Sequence, residues 1–174
     1  MSNYVSNARI LRVDRHFQAT NATLCGDVTI GEDASFWFGA TVRGDIEPIR
    51  IGRRTNIQEL ACLHCDTGVP LDIGDDVTIG HGAVVHCRSV GDGALIGMKA
   101  VVLGGAVVGK DAVVAAGCVV PPNAVVPDGM VMMGIPGKVV RPVRPAELEA
   151  MRENNRHYVE LARAHVAEPG KFYR

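Results

Sequence analysis

Aromatic side chains are scarce in this chain of 174 residues: they make up 5% of it, with a single Trp. A core without rings has to be filled by Val, Ile, Leu and Ala in repeated small layers, which already suggests a repeat protein. Long apolar runs are also missing. No stretch of about 18 apolar residues occurs, so a membrane-spanning helix is excluded. Neither sign of charge dominates, with 18 Lys and Arg against 19 Asp and Glu. That balance gives no basic footprint for nucleic acid. The opening segment MSNYVSNARILRVD has no basic stretch followed by an apolar one, so no secretory signal is expected. The five cysteines (Cys25, Cys62, Cys65, Cys87 and Cys118) are an odd set. They read as reduced thiols of a cytoplasmic protein.

What the sequence has is a period of six. Large apolar residues recur at Leu24, Ile30, Phe36 and Val42, at Ile51, Ile57 and Leu63, and at Ile73, Ile79 and Val85. A third run follows at Val90, Ile96, Val102, Val108, Val114, Val120, Val126 and Met132. Four residues after most of these stands a small one, such as Ala34, Ala61, Ala83, Ala100 or Cys118, and Gly often follows directly. Six fits neither an amphipathic helix nor an alternating strand. It fits short strands joined by tight corners, with the large residue inward and the small one at the turn. Three hexapeptides close a triangular coil, so these 18 positions make about six coils stacked through parallel ladders. The fold expected is all-β, a parallel β-helix over 24–137. Residues 1–23 read as an extended entry segment. The spacing of Leu148, Met151, Tyr158, Leu161 or Ala162, and His165 or Val166 predicts a C-terminal helix over 145–166. The whole chain, 1–174, reads as one domain.

The register breaks three times: three extra residues between Val42 and Ile51, four between Leu63 and Ile73, and one too few between Val85 and Val90. Insertions in such a prism are expected to bulge at corners as loops, the usual place for function. With insertions removed, residues 18 apart lie one above another, roughly 4.8 Å apart. Arg43 to His64 is 21 less three, and His64 to His86 is 22 less four, so these three form one outward column. Glu59 and His81 form a second, by 22 less four.

Two imidazoles on adjacent coils can close on one metal ion at Zn–N distances of about 2.0–2.1 Å. His81 precedes His86 by five residues, roughly 16 Å of extended chain, which is too far for its own His64 and His86. It could reach the same site on a neighbouring prism, and the arithmetic points to a homotrimer with interfacial metals. Three nitrogen ligands leave a position open for water, as catalytic sites do. His16, His157 and His165 read as ordinary exposed histidines.

At FWFGATVRGD (36–45), EPIRIGRRTNIQE (47–59), LHCDTGVPLDIGDDVTIGHGAVVH (63–86), LIGM (95–98) and VMMGIPGKVVR (131–141), the chain resembles the γ-class carbonic anhydrase family, in particular its short bacterial branch. The resemblance implies a left-handed β-helix and a homotrimer with three metals, each held by His64 and His86 of one subunit and His81 of the next. It also implies reversible hydration of CO₂ to bicarbonate. Arg43 and Asp45 resemble residues that pair across the subunit interface, Gln58 the residue that contacts metal-bound hydroxide, and Asn56 the Asn of the same motif. Zn²⁺ would lower the pKa of bound water to about 7, and Fe²⁺ or Co²⁺ could occupy the same imidazoles. Glu59, in the His81 column, could orient that ring or accept a proton. The chain departs from the family at Glu59, where Asp is usual, and at Lys99, where Gly is expected. In place of a long acidic loop for proton export it offers only Glu47 and Asp66.

Other readings stay open. Cys62 and Cys65 make a CxxC, and Cys65 stacks on Cys87 by the same arithmetic. That allows a thiol metal site, a redox-sensitive Cys65–Cys87 pair, or two packed thiols at the interface. A hexapeptide acyltransferase would use a single His as base and bind acyl-CoA. A CoA-thioester hydrolase and a non-enzymatic metal-binding trimer complete the alternatives.

Overall fold

Each hexapeptide becomes a two-residue strand and a corner, as at Val113–Val114, Val119–Val120 and Val125–Val126. The second residue of each is buried while the first faces out, and β-branched Val fits a short pleated rung of this kind. The computed structural model describes residues 8–173. Three stacks of rungs form a prism. The first face runs through His16–Ala19, Ser35–Phe36, Asn56–Ile57, Thr78–Ile79, Leu95–Ile96, Val113–Val114 and Met130–Met133. The second holds Cys62–Leu63, Val84–Val85, Val101–Val102 and Val119–Val120. The third holds Leu71–Ile73, Ser89–Val90, Val107–Val108 and Val125–Val126. The longer strands Thr23–Ile30 and Thr41–Ile51 run round a corner and join the second face to the third.

Between coils the pairing is parallel and keeps the register expected from the spacing. Val42 pairs with Leu63, Leu63 with Val85, Val85 with Val102 and Val102 with Val120. All the large apolar positions are buried except Leu24 and Ile30, which lie on Thr23–Ile30, a strand paired on one side only. Several corners contain a residue in the left-handed region: Asp33, Arg54, Asp76 and Asp111 at φ 53 to 57°, and Lys99 at φ 57°. Glycine takes that conformation without strain, which gives a physical reason for the family's Gly at position 99.

Three features differ from expectation. The insertion after Val42 is not a loop: it is absorbed into the unbroken strand Thr41–Ile51, with a bulge-like register shift against Gly26–Val28. The entry segment is not merely extended. Ile10–Val13 and His16–Ala19 form an antiparallel hairpin, and His16–Ala19 pairs in parallel with Ser35–Phe36 as the first rung of the prism. Residues 1–7 of that segment lie outside the described residues. Nor are His16 and His165 exposed: both are 9% exposed. His16 packs edge-on to Phe36, and His165 stacks on Phe172 at 3.9 Å and meets the Tyr173 hydroxyl at 2.7 Å.

The C-terminal helix, Pro145–Ala167, has Pro at its start and buries Asn155, Val159, Ala162 and His165. Asn155 donates to the Arg54 carbonyl at 3.0 Å, and Tyr158 meets Trp37 edge-on at 5.2 Å. The helix therefore covers the first face and leaves the second and third open. No helix among the described residues is long and apolar enough to cross a membrane, which says nothing about crossing by strands.

Candidate metal centre

Because Leu63 and Val85 pair directly, the residues that follow them leave the prism at the same corner, one rung apart. Nδ1 of His64 stands 3.1 Å from Nε2 of His86. Two imidazole lone pairs at that distance repel unless a proton or a cation lies between them. A tetrahedral zinc with Zn–N of about 2.0–2.1 Å sets two ligating nitrogens roughly 3.3 Å apart, so the pair fits a metal. His64 Nε2 is buried and makes no hydrogen bond. Asp45 Oδ1 approaches it only to 3.4 Å.

The insertions supply the surroundings of this corner. Arg43 donates through Nη1 to both Asp45 oxygens at 2.9 Å. This bond chiefly holds the exposed Asp45 carboxyl below the usual carboxylate range. Within one chain the two residues thus pair with each other. Glu47 accepts from the Gly68 N–H at 2.8 Å and ties one insertion to the next. Asp66 Oδ2 lies 3.5 Å from His86 Nδ1.

The corner between the first and second faces carries the remaining candidates. Asn56 faces outward yet is 1% exposed, and Gln58 is 4% exposed. Asn56 Nδ2 donates to Thr78 Oγ1 at 2.9 Å, and Gln58 Nε2 donates to Asn56 Oδ1 at 3.0 Å. With its amide N–H engaged, Gln58 keeps its Oε1 as an acceptor. Glu59 Oε2 touches His81 Nδ1 at 2.6 Å, off the line of a directed hydrogen bond. The contact leaves His81 Nε2 available.

His81 does not join His64 and His86 within the chain. Among the described residues no group of three His, Cys, Asp or Glu is close enough to hold a metal. The sequence-predicted residues therefore fall into two separate groups, at the two edges of the second face. Thr78, which fixes Asn56, was not singled out, although it stands 22 residues after Asn56 in the same column. Asp66 beside His86 carried no such signal, because an insertion has no register.

The cysteine alternatives fit less well. Cys65 and Cys87 are each 1% exposed within the main core, not thiols at a surface. Burial pushes the Cys87 thiol up to about 12, far from a reactive thiolate. Cys62 is exposed on the outside of the second face and does not converge with Cys65.

Residues 89–128 match the family model described as bacterial transferase hexapeptide (six repeats). A protein of Methanocaldococcus jannaschii named "Probable carbonic anhydrase" is 50% identical over 144 residues, 83% of this chain and 91% of that one. The mitochondrial gamma carbonic anhydrase 2 of Arabidopsis thaliana is 40% identical over 90% of this chain and 59% of its own length. Among solved structures, a hexapeptide transferase family protein from Anaplasma phagocytophilum superposes with a TM-score of 0.84 at 34% identity, covering 88% of this chain and 91% of that one. With this fold and relatives at that identity, the chain belongs to the γ-class carbonic anhydrase family of hexapeptide-repeat β-helix proteins.

Proposed function

We propose that the chain is a metal-dependent carbonic anhydrase that hydrates CO₂ reversibly to bicarbonate, as a homotrimer with its sites between subunits. The observation that carries this reading is the His64–His86 nitrogen pair at 3.1 Å, with a third, carboxylate-backed histidine on the far edge of the same face. Between the two edges runs an outward column of Cys62, Val84, Val101 and Val119. Leu60 and Met98, 72% and 55% exposed, flank it. An apolar stripe between two incomplete half-sites suits burial against a second copy. His64 and His86 of one chain and His81 of the next would hold Zn²⁺, with Fe²⁺ or Co²⁺ as alternatives.

Bound to these three imidazoles, Zn²⁺ would lower the pKa of water to about 7 and so would supply hydroxide near neutrality. The chain's own residues do the rest. Gln58, its N–H occupied by Asn56, accepts a hydrogen bond from the attacking water and orients it. Glu59 holds the His81 ring, and Arg43 with Asp45 caps the His64 side.

The test is stopped-flow CO₂ hydration on protein of measured metal content and oligomeric state, with His81→Ala as control. Hydration lost in the variant supports the shared site. A fully metallated trimer with no hydration above buffer would sink the assignment. The word transferase in the names of the family model and of the solved relative motivates a second arm. Binding of acetyl-CoA without any metal requirement would favour acyl transfer, and turnover of CoA thioesters would favour hydrolysis.

A further inference from the structure

We propose that Asp66 is the positioning residue for His86, and that position 104 is glycine to leave room for the Asp66 carboxylate. This rests on the metal reading above, since the ring being positioned is one of the proposed ligands. Asp66 lies in the insertion after Leu63, where the loop is pinned twice. Val69 N–H donates to the Asp66 carbonyl at 3.0 Å, and Gly68 N–H donates to Glu47 Oε1 at 2.8 Å. So held, the loop brings Asp66 down the corner to His86, one coil below, with Oδ2 3.5 Å from Nδ1. The other ring nitrogen, Nε2, is the one that faces His64. A carboxylate behind an imidazole selects the tautomer whose far nitrogen offers a lone pair, and it fixes the ring's direction.

Gly104 is the second observation. A Cβ at that position would stand 2.6 Å from Asp66 Oδ2, and its next neighbours, Asp66 Cγ and the His86 carbonyl oxygen, are 3.8 and 4.0 Å away. The obstruction is thus the carboxylate and nothing else. Backbone conformation does not demand glycine there either. The left-handed residue of that corner is Gly105, at φ 72°, and Gly104 has no positive φ. Gly104→Ala should leave the coil folded and swing Asp66 off the ring.

The experiment measures Zn²⁺ affinity of the metal-stripped protein by chelator competition, for wild type, Asp66→Ala, Asp66→Asn, Gly104→Ala and the Asp66→Ala/Gly104→Ala double variant. Circular dichroism melts check that each variant folds. Expected is a loss of roughly 10–100-fold for Asp66→Ala and Gly104→Ala, with the double variant no weaker than the weaker single, because both act through one contact. Asp66→Asn, which retains an acceptor oxygen, should recover part of the affinity. Wild-type affinity in Asp66→Ala overturns the proposal, and additive losses overturn the role given to Gly104. If Gly104→Ala does not fold, the two Asp66 variants decide on Asp66. If wild-type protein binds no Zn²⁺ that His81→Ala or His86→Ala abolishes, the metal reading itself has failed and this inference falls with it.

Discussion

Nδ1 of His64 stands 3.1 Å from Nε2 of His86 although 22 residues separate them in the chain. One coil takes 18 of those residues and the insertion at the corner takes four. Since Leu63 and Val85 are paired through the backbone, the two rings share a corner without any contact of their own to bring them there. The pairing of the rings is a product of stacking, and so is the separation of His81 from them.

The proposed sharing of the metal between chains predicts complementation. His64→Ala and His81→Ala chains should each bind no interfacial metal alone. Co-expressed, they should form mixed trimers in which one intact site is rebuilt, where a chain with its own His64 and His86 meets a neighbour with its own His81. Metal per mixed trimer, measured after separating the species by differential tags, checks this. Values no higher than in either single variant would rule out sharing between chains.

Asn56→Ala should both destabilise the protein and slow it. The substitution strands Thr78 Oγ1 and Gln58 Nε2, which now bond Asn56, and a buried group left unpaired costs about 1–3 kcal/mol. Urea denaturation should report that loss. CO₂ hydration should fall in kcat more than in KM, because the freed Gln58 amide no longer presents its oxygen in a fixed direction.

Proton export should depend on buffer. Glu47 already accepts from the Gly68 N–H, and Asp66 is given above the task of positioning His86, 3.5 Å away, so neither insertion carboxylate is assigned to relay. We expect kcat to rise and then saturate with buffer concentration at fixed pH and ionic strength. A kcat indifferent to buffer would mean that another group carries the proton.

The thiols should divide by position. Cys25 and Cys62 are exposed on a single chain, while Cys65, Cys87 and Cys118 are buried. In the proposed trimer Cys62 lies on the covered face, so a thiol reagent should modify Cys25 fast, Cys62 slowly, and the other three only on unfolding. Mass spectrometry of partially labelled protein reads this directly. Cys62 reacting as fast as Cys25 would count against burial of the second face.

The start of the C-terminal helix should show an acid-dependent contribution from Glu147. Arg141 donates to both of its oxygens, at 2.7 and 2.8 Å, and this chiefly lowers its pKa from 4.5 to about 2. A depressed folded-state pKa means stability that is present above the unfolded value and lost as pH falls through the folded one. Glu147→Gln should therefore lower Tm at pH 7. The gap to wild type should shrink between pH 4.5 and 2. A gap unchanged across that window would remove the ion pair as its cause.

Much was legible in the sequence because a β-helix converts spacing into position. The inward column, the coil count, the stacking of Arg43, His64 and His86, and the Glu59–His81 pair all follow from a period of six once the insertions are subtracted. The helix spacing gave its extent within a residue at each end, Pro145–Ala167 against 145–166. Apolar periodicity alone sets the register of parallel rungs, and with it the backbone ladder and which side chains share a corner.

Packing in three dimensions supplied what periodicity does not encode. The insertion after Val42 became strand because Thr23–Ile30 offered it a partner. His165 was buried because the helix lays it against Trp37 on the first face, under Phe172, and His16 because the N-terminal hairpin adds a rung that sets it edge-on to Phe36. Asp66 reached His86 because two hydrogen bonds fold an unregistered loop down across the corner to the next coil. Each depends on a segment packing across the repeat instead of along it, and such contacts are set by the shapes that meet in space, which no spacing in the chain records.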